Sequence, residues 1–217
     1  SQISYSRIHD NFVVGGFGGG LYTTDSTGLV VSDSSIMYNV ALSSYTLHGQ
    51  GGGMFIGHQS NISVVNCTII SNLAMPRIDN SDTAPLTYSG YGGGMFVQTA
   101  IVNVTDSQFI NNIVYTGQFD SGAGGGGVVL EDTYGSNFKR CEFVYNGAQG
   151  YSGYSQYASS GAGGAMMLKF SQAYIDSCQF TGNWVGAGGI EYSTGGALAI
   201  FYDYVSGNEF EDITQVK

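Results

Sequence analysis

Three features of the sequence predict an all-β solenoid, a parallel β-helix of about six to seven coils spanning residues 1–217 as one domain. Glycine clusters followed by apolar residues recur along the chain. A second signature follows each cluster at a nearly constant distance: Ser or Cys, any residue, Ile or Phe, two residues, then Asn. The segment from that Asn to the next cluster varies in length. This pattern predicts one coil per repeat, with a loop of variable length at one corner.

The glycine clusters predict the corners of the coils. GGGMF occurs at 51–55 and again at 92–96, with related runs at 124–129, 163–167 and 195–199. Glycine reaches the positive φ values that a sharp corner can require, and its small size lets a neighbouring coil approach. Alternating residues after each cluster predict a short strand with one inward column, formed by Leu21, Met54, Met95, Val128, Met166 and Leu198.

The second signature predicts two ladders of stacked side chains, because successive coils lie about 4.8 Å apart. Its last position predicts an amide ladder along a turn, formed by Asn11, Asn39, Asn72, Asn112, Asn146 and Asn183. Its first position predicts a ladder that includes Cys67, Ser107, Cys141 and Cys178. A disulfide between Cys141 and Cys178 is geometrically possible, and buried stacked thiols are the favoured interpretation.

Two further sets of residues are candidates for contact with a partner. An outward column after the glycines predicts an apolar stripe, which is either a contact surface or covered by loops: Tyr22, Phe55, Phe96, Val129, Met167 and Ala199. The segment 147–161 contains Tyr151, Tyr154 and Tyr157 among Gly and Ser. Such tyrosines suit contact with sugars, and an ordinary solvated loop is an equal alternative.

Composition restricts the possible partners. Of 217 residues only 10% are charged, and 6 Lys and Arg against 16 Asp and Glu give a net charge of −10. Nucleic-acid binding is disfavoured, because it needs a basic face to neutralise phosphates. No apolar run reaches the roughly 18–20 residues of a membrane helix, so no membrane-spanning segment is expected.

Three N-glycosylation sequons favour a secreted protein, located outside the cell or at its surface. Their acceptor residues are Asn61, Asn66 and Asn103. The register places all three side chains facing solvent. Because the chain begins at Ser1 inside a patterned segment, we expect a fragment of a longer repeat protein or one protomer of an assembly.

The sequence contains no firm catalytic or metal-binding constellation, so we expect no enzymatic activity, no metal and no cofactor. The spacing of the cysteines fits no zinc site. Asp132 and the pair Lys139–Arg140 are the acid and base that share one coil. Paired carboxylates could hydrolyse a glycoside or bind Ca²⁺, but a solvated surface is the favoured interpretation.

The signatures GGGM, GGAM and GGAL, together with CEFVYN, SQFINN and CQFTGN, resemble the repeats of the chlamydial polymorphic outer membrane proteins. More broadly they resemble the pectin-lyase-like right-handed β-helix superfamily. The resemblance spans the whole chain in about six repeats. It implies a right-handed coil exported to a cell surface, often for adhesion. The superfamily also implies lyases and polygalacturonases, although the Arg-x-Lys element of the latter is absent here.

The sequence therefore predicts an extracellular structural or adhesive module, a cell-surface or filament component that self-associates or stacks on neighbouring repeats. The alternative is a protein that binds or degrades polysaccharide, with glycans as its partners. Association between copies would cover the strand edges that an open solenoid end presents.

Overall fold

The computed structural model describes residues 1–44, 48–76, 89–115, 123–150, 161–186, 195–201 and 215–216. In these ranges the regular elements are β-strands, numbered β1 to β29 along the chain, and their pairings are parallel. The strands form six coils and the start of a seventh, which confirms the predicted fold class.

Four long sheets run along the solenoid, and each coil contributes one strand to each of them. Sheet 1 contains β1 (Gln2–Ser4), β5 (Thr27–Ser32), β10 (Asn61–Val65), β15 (Ile101–Thr105), β20 (Tyr134–Lys139), β25 (Gln172–Asp176) and β29 (Gln215–Val216). Sheet 2 contains β2 (Arg7–His9), β6 (Ser35–Met37), β11 (Thr68–Ile70), β16 (Gln108–Ile110), β21 (Glu142–Val144) and β26 (Gln179–Thr181).

The other two long sheets lie on either side of the variable connection. Sheet 3 contains β3 (Phe12–Val14), β7 (Val40–Leu42), β12 (Leu73–Met75), β17 (Ile113–Tyr115), β22 (Gly147–Gln149) and β27 (Trp184–Gly186). Sheet 4 contains β4 (Leu21–Thr24), β9 (Met54–Gly57), β14 (Met95–Gln98), β19 (Val128–Glu131), β24 (Met166–Lys169) and β28 (Leu198–Phe201). Four two-residue strands precede the glycine clusters: β8 (Gly49–Gln50), β13 (Gly90–Tyr91), β18 (Ala123–Gly124) and β23 (Gly161–Ala162).

The core fills the interior with alternate residues of sheets 1, 2 and 4. In sheet 1, Ile62 and Val64 are fully buried while Ser63 between them is half-exposed. In sheet 2 the rings of Phe109 and Phe143 stack in parallel with centroids 4.9 Å apart, and Phe143 and Phe180 are separated by 4.8 Å. These separations match the coil spacing that the ladders require.

The variable connection lies between sheet 3 and the glycine strand of each coil, as predicted. Residues 43–48, 76–89, 116–122 and 150–160 separate the sheet 3 strand from the two-residue strand that follows it. The corners between sheets 1 and 2 and between sheets 2 and 3 are two residues long in every coil, which keeps the ladders in register from coil to coil.

The three glycines of the cluster at 51–53 are each required for a different structural reason. Gly51 has a φ of +66°, in the left-handed region that glycine adopts without strain. A Cβ on Gly52 would collide with the backbone carbonyl of Leu73 in sheet 3, and one on Gly53 with the carbonyl of Gly94 in the next coil. The cluster thus turns the chain and lets it pass directly against sheet 3.

Non-glycine residues in the left-handed conformation form the other corners, which the glycine pattern did not predict. Between sheets 1 and 2 the φ angles of Asp33, Asn66 and Asp106 are 49°, 51° and 51°. Between sheets 2 and 3 Tyr38 and Tyr145 have φ angles of 56° and 55°. Asn and Asp adopt this region more readily than other non-glycine residues, whereas tyrosine is unusual there.

Candidate functional site

The asparagine ladder is formed as predicted and is the most completely bonded polar feature of the interior. Asn112 donates from Nδ2 to Oδ1 of Asn146 at 3.0 Å and to the carbonyl of Ile69 at 2.8 Å. Its Oδ1 accepts from the backbone N–H and from Nδ2 of Asn72, both at 3.0 Å. The pattern repeats along Asn11, Asn39, Asn72, Asn112, Asn146 and Asn183. The ladder therefore holds adjacent coils together.

The ladder of Ser and Cys residues lies at the corner between sheets 1 and 2. Cys67 donates its backbone N–H to Oγ of Ser107 at 3.1 Å, and Cys141 donates its own to Sγ of Cys178 at 3.3 Å. All three cysteines are free thiols, which is the favoured of the two sequence interpretations. Burial raises the pKa of Cys67. The hydrogen bond between the thiols raises the pKa of Cys141 and lowers the pKa of Cys178 to about 7.

The column predicted as an apolar stripe points away from the core that sheets 1, 2 and 4 enclose. It is covered by a second, separate hydrophobic cluster. Phe55, Phe96, Val129, Met167 and Ala199 are buried in a cluster. This cluster also contains Phe17, Tyr91 and Ala162, which the chain contributes just before the glycine clusters. Phe55 and Phe96 stack with centroids 5.7 Å apart.

The described part of this column is therefore not a contact surface, except at its N-terminal end. Of the two interpretations that the sequence left open, covering by the chain itself is the correct one for Phe55, Phe96, Val129 and Met167. Tyr22 remains 53% exposed.

The three sequon asparagines lie on the outside of sheet 1 and at its corner. Asn61 and Asn66 are exposed, and Asn103 is half-buried. Asn66 donates to Oδ1 of Asp33 at 2.8 Å. Asn103 accepts a hydrogen bond from Nδ2 of Asn137 at 2.9 Å and is linked to Asn61 at 3.4 Å. Their use as glycosylation sites stays a prediction.

A shallow polar pocket of about 300 Å³ lies beside Asn66, at the corner between sheets 1 and 2. Arg140 forms a paired hydrogen bond with Asp106, with distances of 2.6 and 2.7 Å, and Gln108 donates to Glu142 at 2.9 Å. The hydrogen bonds from Arg140 hold the pKa of Asp106 below its ordinary value. The pocket is lined by two side-chain amides, a guanidinium and two carboxylates.

The two bases singled out in the sequence pair with acids of other coils rather than with Asp132. Lys139 lies 3.6 Å from Asp176, and Arg140 pairs with Asp106. Glu131 accepts from Lys169 at 2.7 Å and from Gln98 at 3.1 Å. Asp132 lies at an exposed corner. Within the described ranges no group of three or more His, Cys, Asp or Glu residues is arranged to hold a metal ion.

Sequence reasoning missed an apolar surface on the outside of sheets 2 and 3, here called the apolar flank. Its first column is the second of the two outward columns of sheet 2: Met37, Ile70, Ile110 and Val144. The other outward column of sheet 2 is polar and contains Ser35, Thr68, Gln108 and Glu142. Its second and third columns, the outward residues of sheet 3, are Val40, Leu73 and Ile113, then Leu42, Met75 and Tyr115. Tyr38 and Tyr145 stand at the corner between the two sheets and are 53% and 56% exposed.

The aliphatic members of the apolar flank are half-buried. The signal was present in the sequence, because an apolar residue directly follows Asn39, Asn72 and Asn112. It was overlooked because that position was assigned to the variable segment.

Comparison with known protein families agrees with this architecture. The family model described as the right handed beta helix region matches residues 1–210, so the chain belongs to the right-handed β-helix family. This also supports the broader resemblance to the pectin-lyase-like superfamily. Comparisons with curated proteins and with solved structures found no match.

Two remaining expectations concern the tyrosine loop and the membrane. Tyr151, Tyr154 and Tyr157 lie outside the described residues. Among the residues that are described, no helix has the length and apolar character needed to cross a membrane.

Proposed function

We propose that this β-helix is an extracellular structural or adhesive module whose copies associate with one another or stack on neighbouring repeats of a longer chain. The observation that carries this proposal is that polar side chains bond one coil to the next. Asparagines, ion pairs and Ser or Cys residues connect one coil to the next, as in Asp106–Arg140 and Glu131–Lys169. These bonds between coils stiffen the solenoid, as a structural module requires.

Location outside the cell is supported by the sequons. Asn61 and Asn66 are exposed on the solenoid, so a glycan attached to either would project into solvent. The scarcity of charge and the abundance of Gly, Ser, Asn and Tyr also suit an extracellular surface. The resemblance to the chlamydial polymorphic outer membrane protein repeats supports a role in adhesion.

Electron microscopy of the native material, followed by treatment with an N-glycosidase and weighing by mass spectrometry, tests this proposal. Assemblies that lose glycan mass on treatment are expected. Isolated particles without glycan mass would overturn both parts of the proposal. Glycan mass on isolated particles would keep the extracellular part and overturn self-association.

A second candidate function is binding or cleavage of a polysaccharide, and the pocket beside Asn66 is the observation that favours it. Arg140, Gln108 and Glu142 present donors and acceptors at an open, polar surface. Such groups can hydrogen-bond sugar hydroxyls or carboxylates. A reducing-sugar assay and a binding assay on pectin, alginate and related polymers would separate this function from the first, with Arg140→Ala as the site variant.

A further inference from the structure

The apolar flank is unusual for the outside of a soluble solenoid. Its columns place Ile70, Ile110 and Val144 side by side in adjacent coils, with Leu73 and Ile113 across the corner. Scattered apolar residues on a surface need no explanation, but contiguous ones mark contact sites. The exposed rings of Tyr38 and Tyr145 border these columns, and tyrosine is enriched at protein interfaces.

The residues of the flank are themselves uncharged, in a strongly acidic protein. All of its positions are described, and none carries a charge, although the chain has a net charge of −10. Glu131 and Asp176 lie on other sides of the coil, whereas Glu142 borders the flank on the outer face of sheet 2, two residues from Val144. Screening at physiological salt acts over about 8 Å, so two copies that meet on charged sides would repel each other. Contact through the flank brings fewer charges together, with Glu142 at its edge.

The row spacing of the flank is the same on every copy of the chain. Its residues recur at the coil spacing of about 4.8 Å, so the rows of a second copy have the same period and can interdigitate with it. A two-fold axis would place the same surface on both copies. The four coils with flank residues and about six residues of width give a surface of roughly 20 Å by 20 Å. The pair would bury somewhat less than the 1,000 Å² or so that marks a specific interface, which indicates a weak lateral contact that gains strength by repetition along a longer rod.

We propose that the apolar flank is a lateral interface between two copies of this chain, lying side by side. This deepens the proposed self-association, and rests on it, by naming the surface that makes the contact. Apolar burial drives the association, and the absence of charge on the flank selects it over the other sides.

Sedimentation velocity over a range of concentrations tests the interface with one variant on the flank and one matched control. Tyr145→Lys puts a cation on the flank, whereas Tyr134→Lys makes the same change on the outer face of sheet 1 in the same coil. The two tyrosines are 56% and 55% exposed, so neither substitution should disturb the core. Ile110→Lys is a second flank variant, and unfolding curves establish that each variant is folded.

The wild-type chain should show an average mass that rises with concentration. Tyr145→Lys and a folded Ile110→Lys should raise the dissociation constant about tenfold or more, as expected for a charge placed inside an interface. Tyr134→Lys should leave it within about twofold, because it changes the net charge equally without touching the flank.

Two results would overturn the proposal, and they differ in whether the proposed self-association also fails. If the wild type associates and all variants associate equally well, the flank is not the interface while the proposed self-association stands. If the wild type remains a monomer at every concentration, the flank and the proposed self-association both fail.

Discussion

Asn112 donates its side-chain amide to Oδ1 of Asn146 at 3.0 Å, and both side chains are fully buried. Because Asn112 also accepts from Asn72, one amide joins three coils. A buried amide with every donor and acceptor satisfied stabilises the fold, whereas a gap in the ladder leaves its neighbours unpaired.

The substitution Asn112→Ala should therefore lower the free energy of unfolding by about 3 kcal/mol or more, since it leaves several buried polar groups without partners. Asn111→Ala is the adjacent control. Asn111 is exposed at a corner with a φ of 52°, and its replacement should cost about 1 kcal/mol. Denaturant unfolding measures both, and equal losses would show that the ladder is not a stabilising element.

The second glycine of a cluster should not tolerate a methyl group. A Cβ on Gly93 would overlap the carbonyl oxygens of Ile113 and Gly126, so Gly93→Ala should severely destabilise or unfold the protein. Gly28→Ala is the control, because no atom lies within 4 Å of its added Cβ and only its φ of +74° is unfavourable. That variant should lose about 1–2 kcal/mol. Thermal unfolding of the two variants compares them, and a Gly93→Ala protein as stable as Gly28→Ala would contradict the close approach to sheet 3.

The covered column should behave as core. Phe96 is fully buried against Phe55 and Tyr91, so Phe96→Ala should cost about 3–5 kcal/mol. Tyr22→Ala, in the same column but half exposed, should cost much less. Unfolding by urea measures this difference. A mild effect of Phe96→Ala would restore the interpretation of this column as a surface stripe.

The cysteines should differ in their alkylation by iodoacetamide. The thiolate is the reactive form, so the rate at Cys178, whose pKa is lowered to about 7, should fall about tenfold from pH 8 to pH 6 and level off above pH 8. Burial raises the pKa of Cys67 above its ordinary value, so its rate should be far lower and still rising at pH 8. Mass spectrometry of the alkylated peptides measures both rates. Similar profiles for the two thiols would contradict the hydrogen bond from Cys141.

Much of this fold can be predicted from the sequence, because each coil of a solenoid needs the same residue types at the same positions. Asn72 and Asn112 occupy the same position in consecutive repeats, so their stacking followed from coil spacing alone. The covering of Phe96 could not be predicted in the same way. Tyr91 and Ala162 cover that column, and they follow segments of unequal length, where alignment of the repeats is lost.

The apolar flank was missed for a related reason. Val40, Leu73 and Ile113 are apolar in the sequence, but a three-residue strand is too short to show alternation by itself. Only the register of sheet 3 shows which of its residues point outward. The pairing of Arg140 with Asp106 also depends on the coil register, since the two residues are distant in sequence.

The central claim is that this β-helix associates with copies of itself, and the average mass in solution tests it most directly. One polypeptide chain has a mass of 22.9 kDa. At physiological salt, light scattering should give an average mass above that of one chain with its glycans, rising with protein concentration. A mass that stays at the single-chain value up to the highest concentration would contradict the claim.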